Sequence, residues 1–289
     1  MTERTTEAWR PSELELGRRA FRRRQTTKSV LVGAASTLVL AVLLWVSVIN
    51  TPGWAQVQVT FFDPATAIEA FPRVWAGFLV NLQVLAFAVV AVAVLASLLA
   101  FVRTLRGPIW FPLRALAAAY TDLFRGLPLI IVLYLIGFGI PGLQGPTGVR
   151  IPAVLLGTVA IVLTYSAYVS EVIRAGIEAV HPSQRLAARS LGLSHGATMR
   201  LVVLPQAARK VSPALMNDFV AMQKDVGLIS VVGIVDAVRA AQIETAATFN
   251  FTPYVVAGVL FVLLALPMIR LTDWLSARML RREQQGGIV

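Results

Sequence analysis

Asp218, Lys224 and Asp225 stand in the stretch 213–235, which is otherwise mostly apolar. Ionisable groups are costly inside a membrane and are functional candidates there. Asp218 and Asp225 are seven positions apart. On a helix that spacing puts them near one face, about 10 Å from each other. With 213 taken as the start of a span, Asp225 is expected about 18 Å deep, near the midplane. Two carboxylates on one stripe can hold an ammonium or guanidinium group. The other readings are that Lys224 neutralises a carboxylate elsewhere in the bundle, or that the segment starts deeper in the cytosol than position 213. These three residues are the candidates for a polar path. Little else could do chemistry. There is no Cys, and the two His, His181 and His195, share one loop without an HExxH pattern. No catalytic or metal-binding set is expected, and the chain reads as a non-enzyme. It also has no GxxxxGK[ST] loop, so it is not expected to bind ATP by that means.

The second feature is RLAARSLGLSHGATMRLVVLPQ, Arg185 to Gln206. Ser183 is a candidate N-cap and Gly192 a candidate C′ residue of a first short helix. Ser194 is a candidate cap of a second, and Pro205 is expected to stop that helix from continuing. Ala187 and Ala188 are small enough for a partner's backbone to approach closely. Leu191, Leu193, Met199, Leu201, Val202 and Val203 supply more apolar surface than a solvated linker needs. Such a face can dock a partner or pack on the protein's own spans, and the pattern alone leaves both open.

The elements that must position these residues are membrane spans. The chain of 289 residues is 57% hydrophobic and 14% charged, with mean hydropathy +0.72. Its apolar runs are continuous and about 20 residues long, as helical spans require. They do not alternate as barrel strands do. The expected fold is all-α: a polytopic helical membrane protein with about six transmembrane helices. The expected spans are 29–50, 76–102, 116–140, 151–173, 213–235 and 253–271. Residues 1–28 form a flexible basic tail, 51–75 an outer-side segment, and 276–289 a second tail.

Basic residues sort by side. The tail to Lys28, then Arg103, Arg106 and Arg114, then Arg174 to Lys210, then Arg278, Arg281 and Arg282 fall on one side. Arg73, Arg150 and Arg239 fall on the other. By the positive-inside rule both termini, and the Arg185–Gln206 stretch, are expected in the cytoplasm. The net charge of +11 is thus read as membrane orientation, not as nucleic-acid binding. Glu171, Arg174 and Arg125 are expected as interfacial anchors or loop braces. Asp236 and Arg239 are expected to pair.

The run EVIRAGIEAVHPSQRLAARSLGLSHGATMRLVVLPQAARK resembles the EAA loop of ABC-transporter permease subunits, more narrowly the polar amino-acid uptake permeases. Ala187, Ala188, Gly192, Val202, Leu204 and Pro205 match the family pattern. Leu186 stands where its Glu normally does. WAGFLVNLQVLAFAVV, DLFRGLPLIIVLYLIGFGIP, TYSAYVSEVIRAGI and NDFVAMQKDVGLISVVGIVDAVRAAQ resemble further family segments in the same order. The resemblance covers about 75–275. It implies a five-helix permease domain at 76–275 with a coupling loop at about 178–209, plus an additional first helix at 29–50.

The resemblance further implies a cell-membrane importer subunit for a polar amino acid, with a cationic one as the narrower expectation. A second permease copy or a different permease chain would complete the pathway. Cytoplasmic ATPases would bind ATP and Mg and grip the loop 182–209. A binding protein on the outer side would deliver substrate. Ala187, Ala188, Gly192, Leu204 and Pro205 would be the coupling residues. A self-contained, ion-coupled secondary amino-acid transporter is the alternative.

Overall fold

The structure is a computed structural model that describes residues 12–105, 107–144 and 150–286. Among these residues every regular element is helical. The chain divides into two units, 1–59 and 60–289. Residues 145–149, in the expected connection between the third and fourth spans, lie outside the described residues.

The first unit is dominated by α1 (Glu13–Ile49). Ser12 caps it, its hydroxyl accepting from the Glu15 N–H at 3.3 Å. Glu13 and Glu15 in the first turn suit the positive end of the helix dipole. The basic stretch to Lys28 is therefore helical from Glu13 onward and continuous with the apolar span, not a flexible tail. No residue of α1 is buried. The short α2 (Trp54–Phe61) follows.

In the second unit α3 (Pro64–Thr104) opens on Asp63, whose carboxylate accepts from the N–H groups of Ala65 and Thr66. Pro64 fits here because an N1 residue has no N–H to satisfy. The helix thus begins well before the expected span at 76, within the expected outer-side segment. Its buried face runs through Val74, Phe78, Asn81, Leu85, Ala88, Val92, Ala96 and Ala100, a three-or-four spacing rich in small side chains that lets neighbours come close. A Cβ on Gly77 would collide with the backbone of Asp236.

The expected third span, 116–140, is two helices. α4 (Phe111–Gly126) and α5 (Leu129–Gln144) meet at 106°. Pro128 is the cause. It drives Leu127 out of the helical region, to φ −95°, ψ 132°. α6 (Ala153–Glu178) then runs back through the core as one helix.

The expected fifth span, 213–235, is also corrected. After α7 (Pro182–Ser190) and the single turn α8 (His195–Thr198), a π-turn at Met199–Val203 feeds directly into α9 (Leu204–Asp225). Pro205 does not block this helix. It is the second residue of α9, directly after the π-turn, and the helix continues through it. A 3-10 segment, Val226–Val232, ends on Gly233 at φ 86°. α10 (Ala237–Thr248) departs at 52° from that line, and α11 (Thr252–Gly286) closes the chain. α10 was not expected from the sequence.

The main core gathers Val84, Leu85 and Ala88 of α3, Leu133 of α5, Ala160, Ile161 and Tyr165 of α6, and Met222, Val226 and Ile229 at the end of α9. Large apolar side chains such as Phe87, Val94, Leu98 and Phe101 face outward. An outside this apolar suits lipid, not water. Four helical stretches are long and apolar enough to cross a membrane, or up to six if each bent pair counts as one. The all-α polytopic reading holds.

Candidate functional site

The three charged candidates lie on the last two turns of α9, where the helix breaks. Asp225 is its last residue. From Leu204 that is roughly 30 Å of helix. The expected span therefore starts earlier, near Leu204, and changes at Asp225 from α-helix to the 3-10 segment, which continues the same line to Val232. Asp218 and Asp225 do share a face of α9 by their spacing.

Their surroundings differ. The hydroxyl of Tyr165, on α6, donates to Asp225 Oδ2 at 2.7 Å. Oδ2 of Asp218 is buried and accepts no hydrogen bond among the described residues. A buried carboxylate oxygen without a donor is costly and calls for a partner. Lys224 makes no ion pair with either Asp among the described residues, and its side chain is exposed. The neutralising reading for Lys224 finds no partner there. The next residue inward, Gln223, is fully buried; its Nε2 reaches the Phe261 carbonyl at 3.4 Å and its Oε1 has no donor.

The break after Asp225 is held by a residue missed in the sequence reading. Asn81 of α3 is buried. Its Nδ2 donates to the Val226 carbonyl at 3.0 Å and to Asp236 Oδ2 at 2.9 Å. Its Oδ1 accepts from the Ala237 N–H at 3.1 Å. One side chain thus satisfies groups on both sides of the 3-10 segment. Asp236 caps α10, its Oδ1 accepting from the backbone N–H of Arg239 at 2.8 Å. The Arg239 guanidinium goes instead to Gln242 at 2.7 Å. The expected Asp236–Arg239 pair is therefore a cap rather than a side-chain ion pair. Asn81 is one of two amides, with Gln83, in the otherwise apolar run Leu79–Leu85, and an amide in such a run was the available signal.

In the Arg185–Gln206 loop, His181 rather than Ser183 caps α7. Its Nδ1 accepts from the Ser183 N–H at 3.2 Å, and Pro182 takes the first helical position. Gly192 has φ 83°, the left-handed residue expected at the helix end. Ser194 caps the second turn, accepting from the Ala197 N–H at 3.2 Å. The apolar side chains divide. Val203 and Ala207 pack with Ile177 and Val180 of the α6 end, and Ala188 is also buried. Ala187 is exposed, as are Leu186, Leu191, Leu201, Leu204 and Pro205. Inner self-packing and an outer free face coexist.

The loop is tied to the bundle by charge. Glu171 meets Arg103 of α3 at 2.6 Å and also pairs with Arg174, which in turn pairs with Glu178. Arg125, at the α4 end, is 4.0 Å from the same carboxylate. Arg185 donates to the Ile177 carbonyl, and Lys210 to the Ala179 carbonyl at 2.8 Å. Glu171 and Arg174 therefore act as loop braces, joining α3, α4 and α6 at the foot of the loop.

A long broken bundle with a braced loop of this kind has known relatives. Residues 110–281 match the family described as "Binding-protein-dependent transport system inner membrane component". The arginine transport system permease protein ArtQ of Bacillus subtilis is 34% identical over 207 residues, which cover 71% of this chain and 91% of that one. The chain belongs to this family. A Rickettsia conorii permease protein named for glutamine transport, GlnP, is 35% identical, covering 69% of this chain and 90% of its own. A crystal structure of an amino acid ABC transporter with histidines matches with a TM-score of 0.68 at 34% identity, covering 75% of this chain and 98% of that one. These relatives are amino-acid ABC-transporter permeases, the class that the loop residues resemble. As a family member the chain is a multi-pass membrane permease.

Proposed function

We propose that the chain is the pathway subunit of an ATP-driven importer for a polar amino acid with a cationic side chain. The observation that carries this reading is the acidic face at the end of α9. Asp225 is fixed by the Tyr165 hydroxyl, and Asp218 keeps a buried oxygen without a donor. A guanidinium or ammonium group supplies the donors that this oxygen lacks. The likeness to an arginine permease supports the cationic choice, and the likeness to proteins named for glutamine transport supports the broader polar class.

Energy enters through the loop 182–209. In this reading both termini and the loop are cytoplasmic, as the distribution of arginines supports. A separate ATPase pair binds ATP and Mg and holds the outer face of the loop, where Ala187, Leu204 and Pro205 are exposed. Ala188 supports that face from within, and the exposed Gly192 makes the turn after α7. ATPase closure moves the loop, and the Glu171 brace passes the motion to α3, α4 and α6. A second permease chain completes the pathway and an outer binding protein supplies substrate. Family membership leaves no observation favouring a self-contained secondary transporter.

The test is reconstitution with the ATPase and binding protein from the same cells. ATP-dependent arginine or lysine uptake that unlabelled glutamine fails to compete supports the cationic reading. Glutamine uptake at equal rate restricts the reading to polar amino acids. Uptake without ATP overturns it.

A further inference from the structure

Two clefts at the loop end of the bundle run together. The larger, about 920 Å³, has walls built largely of Phe101, Leu105, Ile173, Ile177, Met199 and Leu204. The smaller, about 240 Å³, shares Leu105, Ile177, His195 and Met199 with it and adds Arg103, Glu178 and Arg185. The result is an apolar chamber with a polar annex. Its size lies in the range of small-molecule sites, about 300–1,000 Å³.

The charges do not cancel. Arg103 and Glu178 are already committed, to Glu171 and Arg174 respectively. Arg185 spends one nitrogen on the Ile177 carbonyl, while its Nε is buried with no acceptor among the described residues. Arg200, on the wall of the apolar chamber, is exposed and makes no ion pair among the described residues, so the buried unmet donor is that of Arg185 alone. A buried donor without an acceptor is rare and costly. The site therefore lacks an anion, and the adjoining chamber lacks an apolar filler. The chamber lies where α3 ends at Thr104 and where the last turns of α6 become charged. That is the level of headgroups in a bilayer. Phe101 and Leu204 on its walls are exposed.

We propose that this groove binds one anionic phospholipid, with its phosphate in the annex at Arg185, an acyl chain in the chamber, and Arg200 on the chamber wall adding positive charge. Only an amphiphile fills both parts. The anionic inner leaflet offers such molecules at this depth. Bound there, the lipid joins the end of α3 to the loop.

Native mass spectrometry of the purified chain with phosphatidylglycerol, phosphatidylcholine or soluble glycerol phosphate tests the proposal. The wild type retains phosphatidylglycerol over phosphatidylcholine. Arg185→Gln and Arg200→Gln each weaken that retention by roughly tenfold, the scale of a lost charged hydrogen bond. Ser97→Phe, which fills the chamber from an exposed position and changes no charge, also releases the lipid. Arg23→Gln, on α1, changes little and controls for general attraction to cations. Melting temperatures show which variants fold, and the wild-type lipid preference together with Ser97→Phe decides the matter if the arginine variants do not. Equal retention of the two lipids, or retention unaffected by all three groove variants, overturns the proposal. Displacement by glycerol phosphate as readily as by lipid reduces the groove to an anion site and overturns the lipid assignment. A change in self-association on Ser97→Phe without lipid loss makes the groove an interface between copies and also overturns it.

Discussion

The Tyr165 hydroxyl donates to Asp225 Oδ2 at 2.7 Å, so α6 holds the carboxylate that ends α9. The helix that runs into the loop and the helix that runs out of it thus meet at the proposed path. Replacing Tyr165 with Phe removes the bond and leaves the ring. A hydrogen bond to a charged group contributes about 1.5–3 kcal/mol. Substrate uptake by the reconstituted Tyr165→Phe transporter is expected to fall by roughly tenfold, with elution and melting temperature nearly unchanged.

Asn81→Ala strands the Val226 carbonyl, the Ala237 N–H and one oxygen of Asp236. Each unmet buried group costs about 1–3 kcal/mol. A loss of roughly 3 kcal/mol or more is expected, read as a lower melting temperature in detergent. A melting temperature equal to wild type would mean that water or a shifted backbone replaces Asn81.

Gly176 allows α6 and α9 to touch. A Cβ there would overlap Cγ1 of Val211. Gly176→Ala should therefore destabilise by about 1–3 kcal/mol, as overpacking does. Val211→Ala opens the space, so the double variant should recover most of the loss. The same cure is unavailable at Gly77, where the obstacle is the Asp236 backbone. Paired thermal melts of the single and double variants check both statements.

Ala187 is exposed and Ala188 is buried, although the two are adjacent on α7. Cysteine at Ala187 should crosslink to a cysteine in the ATPase groove, and cysteine at Ala188 should not. Crosslinking at neither position, across several groove sites, would return the loop to a purely self-packed element.

Much of this architecture was legible in the sequence because it follows from local chemistry. Continuous apolar runs gave the spans. Gly192 and Ser194 marked real helix ends, since a left-handed residue and a side-chain cap are local requirements. The Asp218–Asp225 face followed from helical spacing alone. Failures came where hydropathy bridged a break. Leu127–Pro128 sits inside an apolar run, so a 106° bend was read as one span. Pro205 was read as a stop because the π-turn that leads into α9 is not visible in composition. Ser183 lost the cap to His181 because Pro182 fixed the first helical position. Asn81 went unnoticed because its partners, Val226, Asp236 and Ala237, are more than a hundred residues away.

The central claim is that the α9 carboxylates line the path of a cationic amino acid. It is tested most directly by ATP-driven uptake of labelled arginine into proteoliposomes carrying Asp225→Asn or Asp218→Asn with the ATPase and binding protein. The account predicts a fall of at least about tenfold for Asp225→Asn, on the scale of a lost charge-assisted contact, with assembly and basal ATP hydrolysis intact. Uptake equal to wild type in both fully assembled variants would contradict it.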